Sequence, residues 1–583
     1  MSLIDRSPLR CVLPALLALS TLAGCERPGP AATPPSAAAS APEAPILTGI
    51  GRSQFAVTTR SADARALFHQ GLLLAYAFDH AEARRAFAAA AQRDPDCAMC
   101  AWGLAYVAAP NINRPERDRL VAAREHIDRA LRLAPQAAPH EQALIRALAL
   151  RIGVDAPAAA PAPAAAPPAA MCATPTPRDA DPADVAYAQA LARAAFDFPD
   201  DADVGVLHAE ALLMLSPWTW WSRDGEPTEG TREAIAELQR VLARAPDHSG
   251  ALHFLIHAYE QSPVPQRALD AAARLPALVP DAGHLVHMPA HIYMRLGRYA
   301  EASDANRAAV AADARLAAQL RAQGAAPLSH PSHHLHFLWA SAALQGDGEA
   351  SIRAADDVAA LAARHDEVFG GGNDYFLALP LFARVRFARW DEIDALTAAE
   401  PATPPRVYSR AVAHWARGIA QARRGDPGAA AREHAALLAL IDAPQLDDLS
   451  LKGVDDLRAF LQLAEAGLRG EIHAVRRQWP AALAALSEAV RREDALENEE
   501  PPPWALSTRV ALARVQLAAG RAVEAERTLR TDLRRFPANG WALAGLADSL
   551  ARQGRPREAE AVRAQLDAAW GSASRVPLQA WTR

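Results

Sequence analysis

QGLLLAYAFDHAEARRAFAAAAQRDP, residues 70–95, reads as two helices joined by a turn. Gly71, Ala83 and Ala90 are small, Phe87 is large, and Pro95 closes the stretch. Small residues let paired helices approach closely, and proline cannot continue a helix. The pattern returns on a 34-residue frame. Ala234 and Pro246, then Ala268 and Pro280, then Ala302 keep the register. Near the C-terminus GRAVEAERTLRTDLRRFP places Gly520, Ala525, Leu529 and Pro537, and Gly554 and Ala559 follow one period later. Insertions such as APNINRPE and SPWTWWSRDGEP distort some units. Abundant alanine and few β-branched residues agree with helix throughout.

Numbered from Ala64, the residues of the opening stretch fall at positions 8, 20, 24, 27 and 32. This resembles the tetratricopeptide (TPR) repeat. The resemblance implies an all-α, TPR-like α-solenoid of roughly ten to twelve helix pairs, because several units must stack to bury a continuous core. It also implies a concave groove lined by positions 2, 5, 9, 12 and 13 of each first helix. Segments such as DPDCAMCAWGLA, HFLIHAYEQSP, AGHLVHMPAHIY and ANGWALAGL are similar to a group of large, often exported bacterial TPR proteins. That likeness covers most of the chain after residue 55 and supplies an architecture but no chemistry.

The ends read differently from the middle. Arg6 and Arg10 precede a short apolar run, CVLPALLALSTLAGC, which has the form of a secretory signal. Its last four residues, Leu22-Ala23-Gly24-Cys25, resemble a bacterial lipobox, which implies lipidation of Cys25 and a place in the cell envelope. Glu26 rather than Asp follows, which by the same resemblance implies the outer membrane, facing the periplasm. The expected organisation is a signal at 1–25, a disordered Ala/Pro-rich tether at 26–55, and N-terminal repeats at 56–154. A low-complexity loop at 155–184 carries Cys172; central repeats at 185–364 and C-terminal repeats at 365–575 follow. With 583 residues, 22% of them charged and a net charge of −6, the chain lacks the basic excess of a nucleic-acid binder.

Ten of the 19 histidines lie between His248 and His336. In the unit starting at Ser249, Leu252, Leu255, Ile256 and Tyr259 share one helical stripe, which is the packing face. His253, His257 and Glu260 lie opposite it, at positions 5, 9 and 12. In the next unit His284, His287 and His291 take positions 2, 5 and 9, and in the following one His333 and His336 take 2 and 5. Histidines at i and i+4 can chelate one metal. Two such pairs on helices with axes roughly 10 Å apart can close a shared site, with Glu260 as a ligand or an orienting partner. The expected centre is therefore His253, His257, His287 and His291, with His284, His333, His336 and Glu260 close by. Imidazole suits zinc, copper and iron alike. The alternative is a metal-free scaffold whose groove histidines contact a peptide or partner protein.

Other motifs are weaker. Cys97 and Cys100 form CAMC, read as a short-loop disulfide in an oxidising compartment, with a soft-metal site as the alternative. Trp218, Trp220 and Trp221 form a loop with its own small core or a lid at the groove rim. FGGGNDYF (369–376) lacks the Lys-Ser/Thr ending of a phosphate loop, and ENEEPPPW (497–504) reads as a solvated connection. Glu210 is a further residue expected in the groove. No nucleophile elbow is present, so whether the chain is an enzyme stays open.

Overall fold

The computed structural model describes residues 44–571, apart from 114–119, 155–179, 223, 329–330, 366–371, 399–405, 448, 452–454, 497–499 and 505. The signal with Cys25, the tether up to residue 43 and most of the low-complexity loop with Cys172 lie outside the described residues.

The chain is an all-α, TPR-like solenoid. Its helices are α1 (Ala62–Tyr76), α2 (His80–Arg93), α3 (Ala98–Ala108), α4 (Leu120–Leu133), α5 (Pro139–Ile152), α6 (Pro182–Asp197), α7 (Ala202–Met214) and α8 (Thr231–Arg244). Next come α9 (Ser249–Glu260), α10 (Leu269–Leu278), α11 (Gly283–His287), α12 (Pro289–Arg295), α13 (Tyr299–Ala322), α14 (Ser332–Gln345) and α15 (Gly348–Arg364). The C-terminal part holds α16 (Asn373–Arg386), α17 (Trp390–Ala398), α18 (Val407–Arg423), α19 (Pro427–Ile441), α20 (Leu457–Val475) and α21 (Trp479–Ala495). It ends with α22 (Thr508–Ala518), α23 (Ala522–Arg535), α24 (Gly540–Arg552) and α25 (Pro556–Trp570). Consecutive helices pair throughout, with α11 and α12 together serving as one broken first helix.

The signature residues act as their sizes require. A Cβ on Gly71 would sit 2.7 Å from the Phe87 ring and one on Gly103 2.4 Å from it, so both helices press on that ring only because they carry glycine. Ala83 and Ala90 are fully buried beside it. Turns between paired helices need a left-handed residue, and Gly297, Gly346, Gly425, Gly520 and Gly554 supply it. Phe78, Ala388 and Arg477 take the same conformation without being glycine. In the broken helix Pro289 has no N–H to continue the ladder, so the helix restarts after Met288.

Two large apolar cores meet at α11–α13. Leu285, Met288 and Ile292 belong to the N-terminal one, and Ala290, Met294 and Tyr299 to the next. The C-terminal repeats curl back onto the middle of the chain. Trp541 Nε1 donates to Ala343 O at 3.0 Å, and Tyr375 Oη to Pro503 O at 2.9 Å. Residues 44–55, expected to be tether, belong to the fold instead. Leu47, Ile50 and Phe55 are buried there, and Leu47 N–H donates to Gln70 Oε1 at 2.9 Å. Helix α6 begins at Pro182, inside the stretch expected to be loop. Cys97 and Cys100 are joined by a disulfide with an S–S length of 2.08 Å. No helix among the described residues is long and apolar enough to cross a membrane.

Candidate metal centre

The side chains at the meeting of the two cores are imidazoles. His253 and His257 stand one turn apart on α9, a helix whose start is capped by His248 Nδ1 accepting from Ala251 N–H at 3.2 Å. His284 and His287 come from α11, His291 from α12 and His333 from α14. They gather as two triads, His253/His257/His284 and His287/His291/His333. A third group, Glu260/His291/Glu500, adjoins the second. Within each group the potential ligand atoms lie within 4.8 Å of one another.

Hydrogen bonds fix which nitrogen faces inward. His253 Nδ1–H donates to Tyr76 O at 2.7 Å. His287 Nδ1–H donates to Asn306 Oδ1 at 2.7 Å, and Asn306 Nδ2 donates to Ala302 O, which orients that amide. His257 Nδ1–H donates to Glu260 Oε2 at 3.1 Å. His291 Nδ1–H meets both Glu260 Oε2 at 2.9 Å and Glu500 Oε2 at 2.8 Å. All these acceptors are oxygens, so each ring carries a hydrogen on Nδ1 and keeps Nε2 as its second nitrogen. His253 Nε2 then lies 3.1 Å from His284 Nε2, and His287 Nε2 lies 3.0 Å from His291 Nε2. His257 Nε2 is buried and meets no partner. Two imidazole nitrogens at such distances need a proton or a cation between them. Two nitrogen ligands on one tetrahedral zinc stand roughly 3.3 Å apart, given bonds of about 2.0–2.1 Å. The residues present therefore fit a metal through Nε2, with Nδ1 anchored by oxygen as ligating histidines usually are.

Each triad has an aromatic floor. Phe78, the left-handed residue of the α1–α2 turn, lies 4.5 Å from His253 and 5.2 Å from His284, centroid to centroid, and stacks on His257 at 5.6 Å. Phe337 lies 4.6 Å from both His287 and His291. Burial, reinforced by the neighbouring rings, lowers the pKa values of His253, His284 and His287, which keeps them neutral and able to ligate. His291 is the exception. Burial opposes its charge, but Glu260 and Glu500 outweigh burial and push its pKa up to about 9. Glu260 is held well below the usual carboxylate range, because His291 and His257 overcome the effect of burial. Burial raises the carboxyl of Glu500.

Several expectations need correction. The four central histidines do not close one site; each pair takes a third ring from the repeat that follows. His257 and His291 are 5.6 Å apart, centroid to centroid, and are joined through Glu260 rather than through a shared centre. His336 stands apart: its Nε2 contacts Tyr375 Oη at 3.1 Å and its ring stacks on Trp339. The groove expected to be open is filled, with His253, His257, His287 and His291 all buried. ENEEPPPW is not simply a solvated connection, since Glu500 reaches His291 from 209 residues away. The acidic run was the signal for it, but nothing local said where the run would land. Glu210 lies with Arg151, Asp184 and Tyr187 instead of with the histidines, and burial raises its pKa to about 7. The tryptophan loop combines both readings. Trp220 is buried with Nε1 donating to Leu213 O, while Trp218 packs nearly perpendicular to His257, ring centroids 5.5 Å apart.

No protein-family model and no curated protein matches the chain. Among solved structures it is similar to the human IFIT1 dimer with m7Gppp-AAAA, at 11% identity over 88% of this chain and 92% of that one, with a TM-score of 0.31. It is also similar to yeast Tom70, at 13% identity over 89% and 94%, with a TM-score of 0.26. A third is Naa15/Naa10 bound to HypK-THB, at 13% over 89% and 90%, with a TM-score of 0.23. These superpositions are loose, and the TPR-like assignment stands on the chain's own helix pairs and turn residues.

Proposed function

We propose that this TPR-like solenoid binds transition-metal ions at its buried histidine triads, one ion at each, as a lipid-anchored protein of the bacterial envelope. The observation that carries the reading is the inward turn of the Nε2 atoms of His253, His287 and His291, each ring fixed by an oxygen at Nδ1. Imidazole ligation suits zinc, copper or iron. Three protein ligands with a fourth position open is the arrangement of sites that exchange a ligand or run a reaction, whereas structural sites are closed by four. Metal handling or a metal-assisted reaction therefore fits the triads better than a purely structural role. The envelope address rests on Leu22-Ala23-Gly24-Cys25 and the tether that follows. The alternative of a peptide held by these histidines is disfavoured by their burial and by Glu500 lying against them.

Metal analysis of untagged, lipid-free protein tests the reading. Stoichiometric zinc, copper or iron is expected, and is lost in a His253→Ala/His287→Ala variant that still folds. Protein that purifies metal-free, and whose melting temperature ignores added zinc, copper and iron, ends the proposal.

A further inference from the structure

A cavity away from the histidines lies among α16, α18, α20 and α22 and has a volume of about 130 Å³. By the space one water needs, that holds on the order of ten waters. Its walls combine two chemistries. Trp390, Trp415, Trp504 and Trp541 supply indole faces and edges. Arg386, Arg423 and Arg514 supply guanidinium groups, and Glu471 is the carboxylate among the lining residues.

Arg514 pairs with Glu471, and Arg423 Nε lies 3.7 Å from the same carboxylate, so two guanidiniums share one anion. Arg386 stacks on Trp541, its Cζ 4.5 Å from the ring centroid, and its Nε and Nη2 are shut off from solvent and meet no acceptor. Behind it stand two more carboxylates with other commitments. Glu493 accepts from the Thr508 N–H at 2.8 Å and from its hydroxyl. Asp532 accepts from Ser507 and, at 2.8 Å, from Asn539 Nδ2. Burial raises the pKa of both. Burial lowers Arg386 to about 9, so it is still a cation at neutral pH. A guanidinium N–H held without an acceptor is costly.

We infer that this cavity binds a small aromatic carboxylate, its ring among the indoles and its carboxylate on Arg386 and Arg514. A guanidinium N–H gives a carboxylate oxygen a charge-assisted hydrogen bond, and indoles take a flat ring edge-on or offset-stacked. The size limit of about ten heavy atoms follows from the volume. Nothing in the inference depends on metal.

Benzoate is the probe, and the four lining tryptophans are the reporter. Titrating benzoate into the full-length, unmodified protein should change tryptophan fluorescence and saturate. Benzamide, which has the ring without the charge, should bind about tenfold or more weakly, the usual weight of a charge-assisted pair. Arg386→Gln should weaken benzoate by a similar factor. Should that variant not fold, the benzoate–benzamide comparison on the native protein decides alone. No saturable change up to millimolar benzoate overturns the inference, as does equal binding of benzoate and benzamide. Displacement of benzoate by sulfate at equal affinity also overturns it, since it would show a bare anion hole with no use for the indoles.

Discussion

His253 and His257 in one repeat occupy the same helix positions as His287 and His291 in the next, and each pair borrows a ring, His284 or His333, from position 2 of the repeat after. Each stands on a phenylalanine, Phe78 or Phe337. The rule that builds them is the same, but their electrostatics differ. His253 in the first triad is anchored by a backbone carbonyl, and both it and His284 are neutral. The second is wired to two carboxylates through His291, which keeps a proton. Repetition of a fold thus copies ligand positions, while the surroundings of each copy set its charge. Neutral rings make a site that a metal enters without displacing a proton, and an imidazolium makes one where metal and proton compete.

The largest test of that comparison removes one copy. In His287→Ala/His291→Ala the second site should vanish and the first should keep its ion, so metal per chain measured by mass spectrometry should halve. Loss of both ions together would mean the triads are a single centre. A smaller effect is expected from Glu260→Gln, because Glu260 Oε2 touches a ring in each triad. Orienting partners of metal ligands contribute about 10- to 100-fold in affinity, so binding at both sites should weaken by that order in a competition titration with a chelator. Glu500→Gln should reach only the second site, near the lower end of that range, about tenfold. A Glu500→Gln variant that weakens the first site equally would dissolve the distinction between the two.

What could be read from the chain divides along the same line. The repeat register, the turn glycines and the equivalence of positions 5 and 9 are periodic, and periodicity is local information. It marked Gly71, Ala83 and Ala90 as the small residues around Phe87, and it put His253, His257, His287 and His291 on the face opposite the packing stripe. The grouping was not legible, because it depends on the path of the superhelix. His284 and His333 join the preceding repeat, and His336 goes instead to Tyr375 and Trp339. Glu500 arrives only because the C-terminal repeats curl back, a contact between residues 209 apart. Phe78 was hidden for another reason: a large residue with φ of 56° at a glycine-like turn has no pattern that announces it. Its strain is affordable where a well-packed ring floor results.

The smallest effect isolates the proton. His291 has its pKa raised to about 9, against burial, by Glu260 and Glu500. Below that pH a metal must displace the proton from Nε2 before it can bind, and above it there is none to displace. Affinity at the second triad should therefore rise with pH, by at most about tenfold per unit between neutrality and pH 9, and level off beyond. His253 and His284 are already neutral at pH 7, because burial lowers rather than raises them, so these two add no such slope to the first triad. Metal titrations between pH 7 and 9 of His287→Ala/His291→Ala and of His253→Ala/His257→Ala, which removes the first triad, measure both slopes. Equal slopes would show that the carboxylates do not set the protonation of His291, and the electrostatic half of the comparison would fall while the geometric half stood.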